Sequence, residues 1–332
     1  MGTRTRLFMQ FALIFALLLI FHAPLIAQSN IKEGDRKNAQ PTQIIEKEQK
    51  VKSEHTPLSE DQILQAIDQA LKQGDNDIAS QYMCYLLGNI SEEPVKTQKI
   101  ADKIMAIPEY EAFNKEYPEY AHEVEIAKLR TLGYFGDYAG VKDYVINSLN
   151  LDIPGIQVTA ARILLSWGEW DMAAPIICKY EAYDAFQRYN DDRAVPLLEK
   201  AINSGSWQGR IFAAAALFYS YGDSAAYPQV ALDILMNAPI NTTDEDINRA
   251  KFMALQQVPK FNLTEALPGL IRLYQDTARG IGATAVGYIV DLGAMGNQVA
   301  IQALSEIKIN NPNADIREIA NYGLNKISQD KK

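Results

Sequence analysis

Histidine is scarce in this chain of 332 residues, with His22, His55 and His122 as its whole complement. His22 falls in a segment expected to be removed and His55 in a polar linker, which leaves His122 alone. Ser-His-Asp triads and histidine metal sites therefore have no residues to draw on. Cysteine is scarcer still: Cys84 and Cys178 stand 94 residues apart in apolar helical contexts. Two cysteines are too few for a disulfide framework even in an exported chain, so two buried thiols are expected, with one bridge between them as the alternative. Calcium loops are missing. Asp191-Asp192 and Asp244-Glu245-Asp246 are the tight acidic clusters, but both precede helix starts, where carboxylates favour the dipole, and neither has an oxygen-rich spacing around a glycine turn. Gly280-Ile281-Gly282 with Gly287 lacks both the preceding strand and the following lysine of a phosphate loop, and is read as close helix packing. Basic charge is also short. There are 32 basic against 41 acidic side chains, and removal of Arg4 and Arg6 leaves 30 against 41, a net of −11. Such a surface repels phosphate backbones unless a basic stripe is segregated on one face, and no stripe is visible along the sequence, so nucleic acid is not an expected partner. No catalytic residue, cofactor or metal is expected.

What the chain does have begins with a secretory signal. Arg4 and Arg6 form a positive start, Leu7 to Phe21 is an apolar run broken only by Gln10, and a small residue stands at the expected cut between Ala27 and Gln28. The alternative is an uncleaved anchor, since Leu7 to Ile26 just suffices to span a bilayer. Cleavage is the expected outcome, because His22 and Pro24 weaken a span, and no further apolar span follows. The expected location is periplasmic or secreted, or, if anchored, on the periplasmic side. Residues 28–55 are rich in Lys, Glu, Gln, Asn and Ser, and are read as a disordered polar linker. Residues 56–118, opening on Thr56-Pro57-Leu58-Ser59-Glu60, read as an N-terminal helical cap with an unclean period.

From residue 119 to 328 one unit recurs. Its clearest copy is Gln208–Leu235: a helix with Ile211, Ala214, Ala215 and Phe218 on one face, a break at Tyr221-Gly222-Asp223, and a second helix behind Pro228. Gly136, Gly168, Gly222, Asn262 and Gly293 are read as the left-handed ends of first helices, at spacings of 32, 54, 40 and 31. The long gap hides one irregular unit. Pro175, Pro196, Pro228 and Pro268 are read as openings of second helices, Pro196 belonging to the hidden unit.

These residues resemble HEAT repeats of the bacterial phycobilisome-lyase type. Asp315-Ile316-Arg317 with Ala320 and Gly323-Leu324 matches the start of that pattern, Arg210 with Ala213 and Ala216-Leu217 its middle, and Leu132 to Asp137 its end. The arginine position of the pattern is lost in several units, as at Gln157 and Gly282. The resemblance implies an all-α, right-handed superhelix like HEAT and armadillo solenoids, here with five to six hairpins. Some relatives of this repeat type act on bilins or modify proteins, so a lyase or modifying enzyme is one implied alternative.

Two aromatic stripes stand out, Tyr110, Phe113, Tyr117 and Tyr120, then Tyr180, Tyr183, Phe186 and Tyr189. Packing between helices is the expected role for both. The second lies in the irregular unit and is flanked by Trp170 and Trp207, so Trp170, Tyr183, Arg188, Tyr189 and Trp207 form the candidate partner contact. The expected function is a non-catalytic scaffold that binds another protein of an envelope assembly. A carbohydrate or peptidoglycan-binding module using the same aromatics is the alternative.

Overall fold

Short polar side chains satisfy the first free amides of many helices, and so set where the helices begin. Ser59 and Gln62 close a capping box at the head of α1 (Glu60–Leu71), Asn76 caps α2 (Asp77–Glu92) and Thr97 caps α3 (Gln98–Met105). α4 (Glu123–Leu132), α5 (Val141–Ser148), α6 (Pro154–Ser166) and α7 (Trp170–Lys179) follow. A 3-10 segment, Tyr183–Arg188, leads to α8 (Val195–Ser204). Ser206 caps α9 (Trp207–Tyr221), which is followed by α10 (Ala226–Asn237), and Asp244 caps α11 (Glu245–Lys260). α12 (Leu267–Leu273), α13 (Ile281–Ala294), α14 (Gln298–Asn310) and α15 (Ala314–Gln329) complete the series.

The computed structural model describes residues 57–111, 115, 120–189 and 191–329, with no strand among them. The signal segment with its cut at Ala27-Gln28, residues 28–55, and Phe113 and Tyr117 of the first aromatic stripe lie outside the described residues.

The helices pack in two rows. α2, α4 and α6 pack each on the next, and so do α9, α11, α13 and α15. The 3-10 segment stands between these two sets and packs against α9. The other row covers this one in sequence order: α1 on α2, α5 and α7 on α6, α8 on α9, α10 on α9 and α11, α12 on α13, and α14 on α13 and α15. The arrangement is all-α and solenoid-like. From α4 to α14 the described residues form six two-element units, with the 3-10 segment and α8 as the irregular one.

The core runs through this stack as two interlocked clusters. α4 links them, since it gives Leu129 to one cluster and Val124 and Leu132 to the other. Alanines make the tight centre: Ala213, Ala214, Ala215 and Ala216 of α9 are all buried, so neighbours on several sides approach closely.

The helix-ending anchors divide into two kinds. Gly168, Gly222 and Asn262 take left-handed backbone, with φ of 81°, 75° and 50°. Gly136 does not, having φ −55°. A Cβ there would lie 2.8 Å from Trp167 Cε2, so this glycine is required by the approach of an indole rather than by its own turn. Gly293 lies inside α13, where a Cβ would meet Ile327 Cδ1 at 2.9 Å, and the left-handed residue is Gly296, at φ 92°. Among the prolines, Pro196 and Pro268 open their helices, but Pro175 stands in the middle of α7, which begins five residues earlier at Trp170.

A candidate partner-binding trough

Both acidic clusters cap helices. The Asp191 side chain accepts from Arg193 N at the 3-10 turn Asp192–Ala194, and Asp244 accepts from Asp246 N and Ile247 N. Gly282 permits close packing, since a Cβ would come within 2.6 Å of Asp276 O. Among the described residues no group of three or more His, Cys, Asp or Glu side chains could hold a metal ion. No helix among them is long and apolar enough to cross a membrane.

The five candidate contact residues occupy three settings. Tyr183 is in the core, 7% exposed, and burial pushes its hydroxyl up to about 12. Trp170 is half-buried, stacked on the buried Phe186 ring at 5.2 Å, with the Arg193 guanidinium 4.7 Å from its ring centroid. Trp207 opens α9 and lies under Arg210, at 4.9 Å. Arg210 is held in turn by Asp233 and by the Ile202 carbonyl. Arg188 and Tyr189 are the two that reach a concave surface.

That surface is a trough along the α2–α4–α6–α9–α11 row. Its first concavity, about 670 Å³, is lined by residues that include Cys84, Gly88, Glu123, Arg130, Tyr134, Arg162, Arg188 and Tyr189. A second, about 510 Å³, shares Arg130, Thr159 and Arg162 with the first and adds Glu181, Asp184, Phe212, Asp246 and Arg249. A third, about 290 Å³, takes Arg249 again with Asn248, Phe252 and Ile281. The shared side chains make the three concavities continuous.

Successive members of the row all contribute side chains to this surface, one long one from each being central to it. These long side chains are Arg130 from α4, Arg162 from α6, Arg188 from the 3-10 segment, Phe212 from α9 and Arg249 from α11. Arg162 grips Asp184 with Nη2 at 2.8 Å from both carboxylate oxygens. Among the described residues Arg130, Arg188 and Arg249 form no ion pair, and all three are exposed. Glu123, Glu181, Asp184 and Asp246 line the same concavities, so the surface is one of mixed charge.

The irregular unit is fastened to α9 by Glu181, whose backbone takes φ +52°. Its carboxylate accepts from Ser206 N at 2.9 Å and from the Ser206 hydroxyl, at the positive end of α9. It fills the space in front of Gly209, where a Cβ would come within 2.6 Å of it.

Cys84 and Cys178 are free thiols in different helices. Burial, followed by the Glu123 carboxylate, pushes the Cys84 thiol up to about 11, so it stays protonated and weakly nucleophilic at neutral pH. No family model matches the chain, and no curated protein matches it.

Proposed function

We propose that this chain is a non-catalytic, exported, HEAT-like scaffold that binds a partner protein along the trough. The observation carrying this reading is the continuity of the trough, which runs over five successive members of one row and presents three arginines that folding does not use. Extended surfaces of this kind suit a partner chain better than a small substrate, which needs an enclosed pocket with a few converging polar groups. The thiol inside the trough is held protonated, which weighs against nucleophilic chemistry there.

The test is site-specific photo-crosslinking in the producing cells. A photoreactive residue replaces Tyr189 in the trough or, as control, Met236, exposed on the outer-row helix α10. One discrete protein adduct from the trough position only, in the envelope fraction, is the expected result. Equal adducts from both positions, no protein adduct, or a glycan adduct alone would each reject the scaffold reading. N-terminal sequencing of the same purified protein is expected to begin at Gln28, whereas a start at Met1 would favour the anchored alternative.

A further inference from the structure

Five side chains outside the trough meet where α9 and α11 end. Phe218 and Tyr219 stand in the last turn of α9, Lys260 is the last residue of α11, and Phe261 follows it directly. Tyr227 of α10 is buried and lies 5.9 to 6.1 Å from the other three rings. None of the five lines the concavities of the trough. We propose that these rings form a receptor for a quaternary ammonium group, such as the trimethylammonium of choline, and that the Lys260 ammonium occupies it in the free protein.

The rings converge on one point. Lys260 Nζ lies 4.4 Å from the centroid of Tyr219, 5.4 Å from that of Phe261 and 5.6 Å from that of Phe218. All three distances fall inside the roughly 6 Å over which an aromatic face attracts a cation. The walls also stand steeply to one another, Phe218 making 87° with Tyr219 and 83° with Phe261, so the cation is bounded from more than one side.

Helix dipoles add to the ring quadrupoles. The Phe218 and Phe261 centroids are 5.1 Å apart, so α9 and α11 end side by side, and each helix carries its partial negative charge at that end. Positive charge is therefore favoured here without a carboxylate. Among the described residues Lys260 forms no ion pair, and its ammonium donates instead to the neutral hydroxyl of Tyr219.

Hydration selects the ligand. The Lys260 side chain is exposed on a flexible stem, and a primary ammonium is strongly hydrated, so it exchanges this site for water at little cost. A trimethylammonium carries the same charge behind methyl groups. It has less hydration to lose and covers more of the ring faces, which is the basis on which aromatic cages take such groups.

The experiment uses the exported chain and follows the methyl signal of choline by saturation-transfer NMR and titration. Choline, phosphocholine and tetramethylammonium are each expected to bind saturably, whereas dimethylbutanol, the neutral carbon isostere of choline, is expected not to. Tyr219→Ala removes an exposed ring and is expected to weaken choline about fivefold or more with the melting temperature little changed. Tyr219→Phe keeps the ring and is expected to bind as well as the wild type. Lys260→Gln withdraws the resident cation and is expected to tighten choline several-fold, a gain that a damaged fold does not produce. Co-sedimentation with phosphatidylcholine but not phosphatidylglycerol vesicles would assign the group to a lipid headgroup, and binding of the free compounds without co-sedimentation would assign it to a small solute.

No saturable binding of choline by either the wild type or Lys260→Gln, equal binding of dimethylbutanol, or indifference to Tyr219→Ala would each overturn the proposal and leave the rings as packing between α9, α10 and α11. The Tyr189 crosslink tests the scaffold reading separately.

Discussion

Lys251 and Asp276 bury opposite charges completely, with both side chains at 0% exposure. Lys251 also donates to Pro239 O at 3.0 Å, while Asp276 Oδ1 accepts from Ala278 N at 3.0 Å. The pair thus ties α11 to the loop before it and to the turn before α13. Removing the ammonium leaves a carboxylate in the core with only a backbone amide as partner, and a broken buried pair costs about 3–5 kcal/mol. The lower end is expected for Lys251→Met, because the partly buried Arg272 guanidinium lies within electrostatic reach of Asp276. Adding Asp276→Asn removes the stranded charge while keeping an oxygen for Ala278 N, so the double substitution should recover part of the loss. Urea unfolding of the wild type and the two variants checks this; a single substitution costing under about 1 kcal/mol would show the pair to be energetically idle.

Glycines that look alike in the sequence act differently at the level of helices and turns. Gly222 ends α9 in left-handed backbone with nothing within 4 Å of an added Cβ, so Gly222→Ala should cost only backbone strain, about 1–2 kcal/mol. Gly136 has ordinary backbone and a tryptophan ring in its way, so the cost of Gly136→Ala should depend on Trp167. In a Trp167→Leu background that cost should shrink by at least about 0.5 kcal/mol, whereas Gly222→Ala should add independently. Full additivity at Gly136 would disprove the steric account. The sequence shows where the turns lie but not which force selects each glycine, because a left-handed φ and a crowding indole leave the same letter. The hidden unit was legible from the long gap between Gly168 and Gly222 and from Pro196, yet its first helix is a single 3-10 segment, which apolar spacing does not distinguish from an α-helix. Of the trough, only Arg188 and Tyr189 were singled out in the sequence, and its course was not legible. Arg130, Arg162, Arg188 and Arg249 lie far apart along the chain, and they become neighbours only once each helix has a row and a register. The aromatic stripe was legible as a stripe, but the same spacing fits Tyr183 in the core and Tyr189 on the trough, because one residue's shift around a turn exchanges inside for outside.

Across the whole stack, continuity depends on one short stretch. Each helix of the α2 to α15 row rests on its neighbour except at the irregular unit, where α9 packs on Tyr183–Arg188. Phe186 is the largest fully buried side chain in that stretch, and it stacks on Trp170 at the head of α7, so it ties α7 to the segment on which α9 packs. A stack in which units touch only neighbours behaves as a one-dimensional chain, whose cooperativity is no stronger than its weakest interface. Phe186→Ala removes a buried ring from that interface at a cost of about 3–5 kcal/mol, most of which falls on the coupling between halves rather than on either half. The wild-type chain should therefore unfold from Leu58 to Gln329 in one guanidinium transition, while Phe186→Ala should show two. Hydrogen exchange at intermediate denaturant should then differ between α4–α6 and α9–α13, in contrast to a matched loss elsewhere such as Leu304→Ala, a buried residue of α14, which should weaken the C-terminal half without dividing the array. If Phe186→Ala merely shifts a single transition to lower denaturant with uniform exchange, coupling does not run through the 3-10 segment, and the contacts of the covering row must carry it.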